Sequence, residues 1–478
     1  MSQIHDLQPW YWRSLPLEHR TGSQVFDRLF RHHATIATLL ESPYPTPVDQ
    51  PQLARYSICA GMPRIQQGRP QMWTPPVGEI LPFLRHLPCS QDPENRKREL
   101  DNLSLPSHLP FTGGWLGWLG YDLAWEIEQL PRLKPDPLPF PVAFWYEPAS
   151  FAVLDHAQQT LWLATTDQAE LDQLEQHLEQ AHNLPTFNFQ SSTLSFLSSQ
   201  TDFEAAVIQA KKYIQSGDIF QANLSLRFEV ATRADSWAIY RALQKINPSP
   251  FASYWQTPWG EVISCSPERL VELQGQHAQT RPIAGTRSRG ATPDLDQQLA
   301  QDLIANAKER AEHIMLVDLE RNDLGRVCEW GSVDVNELFT IERYSHVMHL
   351  VSNITGTLCT DQDAVDLIRA LFPGGTITGC PKVRAMEIIE ELEPVRRSLF
   401  YGSCGYIDQR GNLDLNILIR TLLVRNLDNA LNLEEQSLKI VSGQVGAGIV
   451  ADSDPEKEWY ESLHKAQAQI AALKIFNF

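Results

Sequence analysis

No stretch of this 478-residue chain approaches the roughly 18 consecutive apolar residues that a membrane-crossing helix needs. Positive charge is also scarce, since 40 Lys and Arg against 58 Asp and Glu leave a formal net charge of −18. Nucleic acids and acidic membrane surfaces require a basic footprint, so neither is an expected partner. An anionic ligand must then be met by local cations or a metal. The seven cysteines are odd in number and scattered, with no Cys-x-x-Cys pair. That excludes a disulfide framework or a zinc knuckle and suits reduced thiols in a cytoplasmic or stromal compartment. The opening Met1-Ser2-Gln3-Ile4-His5-Asp6 lacks a basic region followed by an apolar one, so no export is expected and the location reads as cytoplasmic.

Apolar residues make up 42% and charged residues 21%, the balance of an ordinary globular protein. The length fits two or three domains, or one composite core. Proline and tryptophan concentrate in the first part, where Pro43-Tyr44-Pro45-Thr46-Pro47, Pro75-Pro76 and Pro135-Asp136-Pro137 punctuate short apolar runs. Such punctuation predicts strands with irregular connections. Gln190 to Thr201, rich in Ser, Thr and Gln, is the expected junction. It divides an N-terminal region, 1–195, from a second region, 196–478.

Beyond the junction the periodicities sharpen. Phe203, Ala206, Val207, Ala210, Tyr213 and Ile214 keep helical spacing and stop at Ser216-Gly217. From Phe220 to Val230 apolar residues alternate with Gln221, Asn223, Ser225, Arg227 and Glu229, which predicts a strand whose polar face meets solvent. Glu261 to Leu273 alternates as one strand, and Leu299 to Val317 reads as a long helix running into an apolar strand. Gly374 to Cys380 leads through Pro381, a good first helical residue, to a stripe of Ala385, Ile388, Ile389 and Leu392. Backbone N–H groups at that helix start, beside Lys382 and Arg384, could receive a carboxylate.

Two carboxylate pairs carry the chemistry: Glu309/Glu312 and Glu458/Glu461. Residues i and i+3 share a helix face, so each pair can aim two hard oxygens at one point. Mg²⁺ takes such ligands together with substrate oxygens. Glu-x-x-Glu also recurs on solvated helix faces, but here apolar Ile314-Met315-Leu316-Val317 follows the first pair and Gly446-Ala447-Gly448-Ile449-Val450 precedes the second.

Together these segments resemble the chorismate-utilising enzymes, specifically the large ammonia-using subunits of aminodeoxychorismate synthase and anthranilate synthase. The matching stretches are Gly-Asp-Ile-Phe-Gln at 217–221, Ser-Pro-Glu at 266–268, Pro-Ile-Ala-Gly-Thr-Arg at 282–287, His-Ile-Met-Leu-Val-Asp-Leu-Glu-Arg-Asn-Asp at 313–323, Val-Met-His-Leu-Val-Ser at 347–352, Pro-Lys-Val-Arg-Ala-Met-Glu-Ile-Ile at 381–389 and Gly-Ala-Gly-Ile-Val-Ala-Asp-Ser at 446–453. Looser likeness extends to Leu-Leu-Glu-Ser at 39–42, Ala-Arg-Tyr-Ser at 54–57 and Phe-Thr-Gly-Gly-Trp-Leu-Gly at 111–117. The resemblance implies a two-lobed α/β (α+β) fold, with central sheets packed together, helices outside, and the site mostly in the second half.

It also implies roles. Glu309, Glu312, Glu458 and Glu461 match positions that hold Mg²⁺ and, through it, the ring carboxylate of chorismate. Without a cation, clustered carboxylates would repel by roughly 4 kcal/mol per close pair at an effective dielectric of 20. Arg420, with the backbone of Gly446, Ala447 and Gly448, matches the grip on the enolpyruvyl carboxylate. Gly285 and Thr286 match further substrate contacts, as do Thr376 and Lys465. Glu268 matches the acid that assists departure of the hydroxyl at carbon 4, and His349 the acid/base used in eliminating pyruvate.

Gln221 separates branches of the family, because enzymes that add water carry a lysine there as base. An amide cannot be that base, so ammonia is the expected nucleophile. No segment resembles a Cys-nucleophile glutaminase, which implies a separate glutamine amidotransferase subunit as ammonia source. Asn-Pro-Ser-Pro-Phe-Ala-Ser-Tyr at 247–254, Phe-Gln-Ala-Asn-Leu-Ser at 220–225 and Pro-Gly-Gly-Thr-Ile-Thr-Gly at 373–379 look like aminodeoxychorismate synthase. Ala284 looks like anthranilate synthase, since many aminodeoxychorismate synthases have a nucleophilic lysine there. The three matches favour amination at carbon 4, with anthranilate formation as the alternative and a non-catalytic scaffold as a third reading. Leu39-Leu40-Glu41-Ser42 and Pro250-Phe251-Ala252 resemble parts of a tryptophan-binding element, so tryptophan is a further expected ligand.

Overall fold

The structure, a computed structural model, describes residues 10–43, 51–87, 106–180, 194–344, 347–427 and 438–474. It is a mixed α/β fold built on two large antiparallel sheets, one of 12 strands and one of 10. The chain weaves both sheets from distant parts of its sequence. In the larger, Ala37–Glu41 pairs with Phe251–Thr257, and Gln221–Thr232 pairs with Lys439–Ile449. In the smaller, Gly114–Leu119 pairs with Ser403–Asp408. Both sheets therefore draw strands from either side of residue 195.

Apolar side chains fill two layers. One lies between the sheets, where Trp118 and Trp255, both essentially inaccessible, meet edge to face with ring centroids 5.7 Å apart. Burying each such ring contributes on the order of 3 kcal/mol. The other layer packs Phe203, Val207, Tyr240 and Trp459 of outer helices onto the larger sheet.

The predicted helix at Phe203 forms as Gln200–Gln215, capped by Ser199 and ended before Gly217, whose φ of 80° favours glycine. The first part of the chain is β-rich as expected. Residues 44–47 of the first proline cluster and 190–193 of the junction lie outside the described residues.

Four expectations are corrected. The alternating stretch 261–273 is two strands, Gly260–Ser266 in the larger sheet and Arg269–Gln274 in the smaller, because the chain crosses between sheets at Pro267-Glu268. Leu299 to Val317 lies in two helices, Pro293–Ala305 and Ala307–Gly325, and contains no strand; Asn306 breaks the run, and its side chain accepts the Glu309 N–H at 3.0 Å as a new cap. The helix after Gly379 starts at Lys382, with Pro381 as its cap. The polar face of Gln221–Thr232 is not solvent-facing: Gln221, Ser225 and Arg227 are buried, because this strand sits inside the sheet with that face turned to the interior.

Candidate active site

The sheet crossing places the first functional group. Glu268 is buried, its carbonyl accepts the Ile417 N–H at 3.0 Å, and its Oε1 accepts the Ile283 N–H at 3.3 Å. Burial pushes its carboxyl up to about 7, against the opposing pull of the Thr376 hydroxyl, the Ile283 N–H and Arg420. The Thr376 hydroxyl faces this carboxyl yet has no partner at ordinary hydrogen-bond length. Near neutral pH such a group both holds and yields a proton.

His349 lies on Val347–Thr357, opposite Thr286 of Ile283–Ser288. Its Nδ1 is 2.9 Å from Thr286 Oγ1, and the ring also meets the Gly285 carbonyl. The Nδ1–Oγ1 contact suits either tautomer, because a hydroxyl both donates and accepts, and the other ring nitrogen is Nε2. That Nε2 is buried without a partner. Burial, reinforced by the Arg420 charge, lowers the imidazole to about 3, so it is neutral at physiological pH. Gly285 has φ 71°, and a side-chain carbon there would lie 2.8 Å from Glu309 Oε2. Arg420 donates to Asn247 Oδ1 at 2.6 Å, and Asn247, Tyr344, His349 and Arg420 line one small pocket. The structure thus brings Glu268, Thr376, His349, Thr286 and Arg420 to one place.

The floor beside them carries almost no side chains. Gly446, Ala447 and Gly448 pair with Ser225, Leu224 and Asn223. Gln221 Nε2 donates to Glu312 Oε1 at 3.2 Å, and a side-chain carbon on Gly448 would lie 2.3 Å from that nitrogen. Lys465 donates to the Gly446 carbonyl at 3.0 Å and pairs with Glu461 at 2.9 Å.

The two carboxylate pairs face one neighbourhood from two helices, Ala307–Gly325 and Pro455–Lys474. Burial, then the neighbouring Glu309, raises Glu312. Burial raises Glu458, opposed by Ser453 and reinforced by Glu461. Lys308 and Lys465 each act on both Glu312 and Glu458, which ties the pairs together. Glu309 rests on Arg287 at 3.1 Å and Glu461 on Lys465. Among the described residues no three His, Cys, Asp or Glu side chains are gathered closely enough to hold a metal ion. The donors are nevertheless the hard oxygens Mg²⁺ takes, and the carboxylate neighbours that add to burial in raising Glu312 and Glu458 fit a cation.

At the helix start at Lys382, the two cations beside the backbone N–H groups are already paired. Lys382 is held by Asp323 at 2.5 Å and the Leu371 carbonyl, and Arg384 by Asp218 and Glu387. The structure also reveals a clamp the sequence did not suggest. Arg397, buried, pairs with Glu393 and donates to the Ile377 and Asn223 carbonyls at 2.8 and 2.6 Å. It ties the Thr376 loop to the Gln221 strand. The only hint was the i, i+4 spacing of Glu393 and Arg397, since both carbonyl partners are remote in sequence. Glu41, Ser42, Pro250, Phe251 and Ala252, flagged for tryptophan, do line a common cavity, together with Arg269, whose charge Asp414 and Glu272 meet. No helix among the described residues is long and apolar enough to cross a membrane.

Residues 82–471 match the profile of the chorismate binding enzyme family. The chain is 61% identical over 475 residues to the anthranilate synthase component I-like protein of Synechocystis sp., covering 98% of this chain and 93% of that one. It is 47% identical over 377 residues to aminodeoxychorismate synthase component 1 of Bacillus subtilis, covering 76% and 78%. To anthranilate synthase component 1 of the same Synechocystis strain it is 41% identical over 409 residues, covering 78% and 79%.

Proposed function

From the premise that this chain belongs to the chorismate-binding enzymes, of the aminodeoxychorismate and anthranilate synthase type, we propose that it aminates chorismate with ammonia at carbon 4, giving 4-amino-4-deoxychorismate. The observation that carries ammonia over water is Gln221: an amide, held by Glu312 over the Gly446 to Gly448 floor, where a base would be needed to activate water. Carbon 4 is supported by the higher identity to the Bacillus aminodeoxychorismate synthase, 47% against 41% for the Synechocystis anthranilate synthase. The Synechocystis strain also has a second, component I-like protein, and this chain is 61% identical to that one.

In this reading Glu268 gives its proton to the departing hydroxyl, with the Thr376 hydroxyl beside it. Arg420 and the glycine floor hold the enolpyruvyl carboxylate. Mg²⁺, when bound by Glu309, Glu312, Glu458 and Glu461, supplies positive charge opposite the ring carboxylate. Ammonia comes from a separate glutamine amidotransferase subunit, in keeping with the component 1 names of the relatives.

Ala284, buried against the sheet, favours a second reading, in which ammonia enters at carbon 2 and the free Nε2 of His349 assists pyruvate loss to give anthranilate. Chromatography of chorismate, Mg²⁺ and ammonium with the protein, with and without an added aminodeoxychorismate lyase, separates them. The expected result is p-aminobenzoate only when lyase is added. Anthranilate and pyruvate in equal amounts without lyase overturns carbon 4 in favour of the second reading, and no turnover at all leaves a scaffold.

A further inference from the structure

Two amides on the buried face of one strand are oriented by what lies behind them. Gln221 Nε2 faces Glu312 Oε1 at 3.2 Å, and Asn223 Nδ2 faces the Thr376 carbonyl at 3.1 Å. A carboxylate and a carbonyl can only accept, so neither amide can be flipped without setting oxygen against oxygen. Both side-chain oxygens are therefore turned away from these partners, and both are buried with no hydrogen bond. Gln221 is only 3% exposed. Buried polar atoms in native proteins are nearly always satisfied, so two orphaned acceptors two residues apart point to a donor that arrives with a ligand.

The glycine floor puts no side chain against these amides: a side-chain carbon on Gly446 would stand 3.0 Å from Asn223 Oδ1, and one on Gly448 would lie 2.3 Å from Gln221 Nε2. The missing partner must be small and must bring at least two N–H donors. Resting on the amination reading, we propose that Gln221 and Asn223 dock the incoming ammonia, with Asn223 Oδ1 the second acceptor that fixes its orientation. Two N–H bonds to the two carbonyls leave the nitrogen lone pair free to face the ring. The lone pair forms the C–N bond as the C–O bond to the hydroxyl breaks, and the hydroxyl leaves as water with the proton of Glu268. The new ammonium then returns one proton to the Glu268 carboxylate, which restores the acid. Asn223 thus becomes a determinant of nucleophile affinity, not of chorismate affinity.

Steady-state turnover with ammonium chloride as nucleophile tests this in the full chain. Asn223→Leu and Asn223→Ser should each raise KM for ammonium about five- to tenfold, the loss of one hydrogen bond, with KM for chorismate within about twofold of the parent. An unchanged KM for ammonium in the Leu and Ser variants overturns the proposal. So does an equal rise in both KM values or a loss of kcat alone, which would make Asn223 a prop for the Thr376 loop. Should the Leu variant lack a cooperative melt, the Ser variant decides. A parent that consumes no chorismate with ammonium sinks the amination reading itself, and this proposal with it.

Discussion

Two glycines, Gly446 and Gly448, stand two residues apart on the same strand, yet alanine at each should fail differently. At Gly448 the added carbon meets the end of the Gln221 side chain at 2.3 Å and Glu312 Oε1 at 3.4 Å. Gln221 can rotate aside at little cost, and alanine in a strand gains roughly 0.5–1 kcal/mol over glycine. The melting temperature should therefore hold or rise slightly. Turnover should not survive, because the rotation breaks the Gln221 to Glu312 bond and fills the floor. At Gly446 the carbon meets the Leu224 carbonyl at 2.4 Å and the Ser225 Cα at 3.0 Å, both backbone. Neither can move without shifting the paired strand, so an overpacking cost of about 1–3 kcal/mol is expected. That should lower the melting temperature by about 1–3 °C in a chain of this length. Thermal melts and ammonium-dependent chorismate consumption on both variants give the comparison. A Gly448→Ala protein with parental turnover, or a Gly446→Ala protein with a parental melt, refutes the reasoning.

Glu268→Gln should lower kcat at least about a hundredfold with little effect on folding. In the parent, because the acid must be protonated and sits near pH 7, kcat should fall as pH rises through that value, which a stopped assay from pH 5 to 9 would reveal. Arg397→Ala leaves Glu393 buried without its partner and should cost about 3–5 kcal/mol in denaturant titration; the double variant Glu393→Gln, Arg397→Met should recover much of it, and a single variant as stable as the parent contradicts the clamp. Chelation of Mg²⁺ should abolish turnover reversibly, and calorimetry should find chorismate binding weakened severely in Glu312→Gln and Glu461→Gln; metal-independent turnover rules out the assigned ligands.

Local pattern made much of this architecture legible, and long-range partners account for the rest. The helix at Phe203 was readable because its spacing and its Ser216-Gly217 end are written within one stretch. The strand at Gln221 was readable for the same reason, but not the burial of its polar face, since an alternating strand gives no sign of what covers either side. Alternation continued smoothly through Pro267-Glu268 and so hid the crossing that buries Glu268. Asn306 was a cap concealed inside a long apolar period. The carboxylate pairs were visible in their spacing, whereas the cations that join them, Lys308 and Lys465, were legible only through the packing of two helices.

The weaving of the larger sheet also fixes an order of events at the ribosome. The strand Gln221–Thr232 is made more than 200 residues before Lys439–Ile449, the neighbour that covers its inner edge. Throughout that interval the edge is open to pairing with other nascent chains. The site floor and the helix carrying Glu458 and Glu461 emerge after Glu268, His349, Thr376 and Arg420. A chain stalled before them therefore has no working half to fall back on, and slower synthesis lengthens its exposure to aggregation.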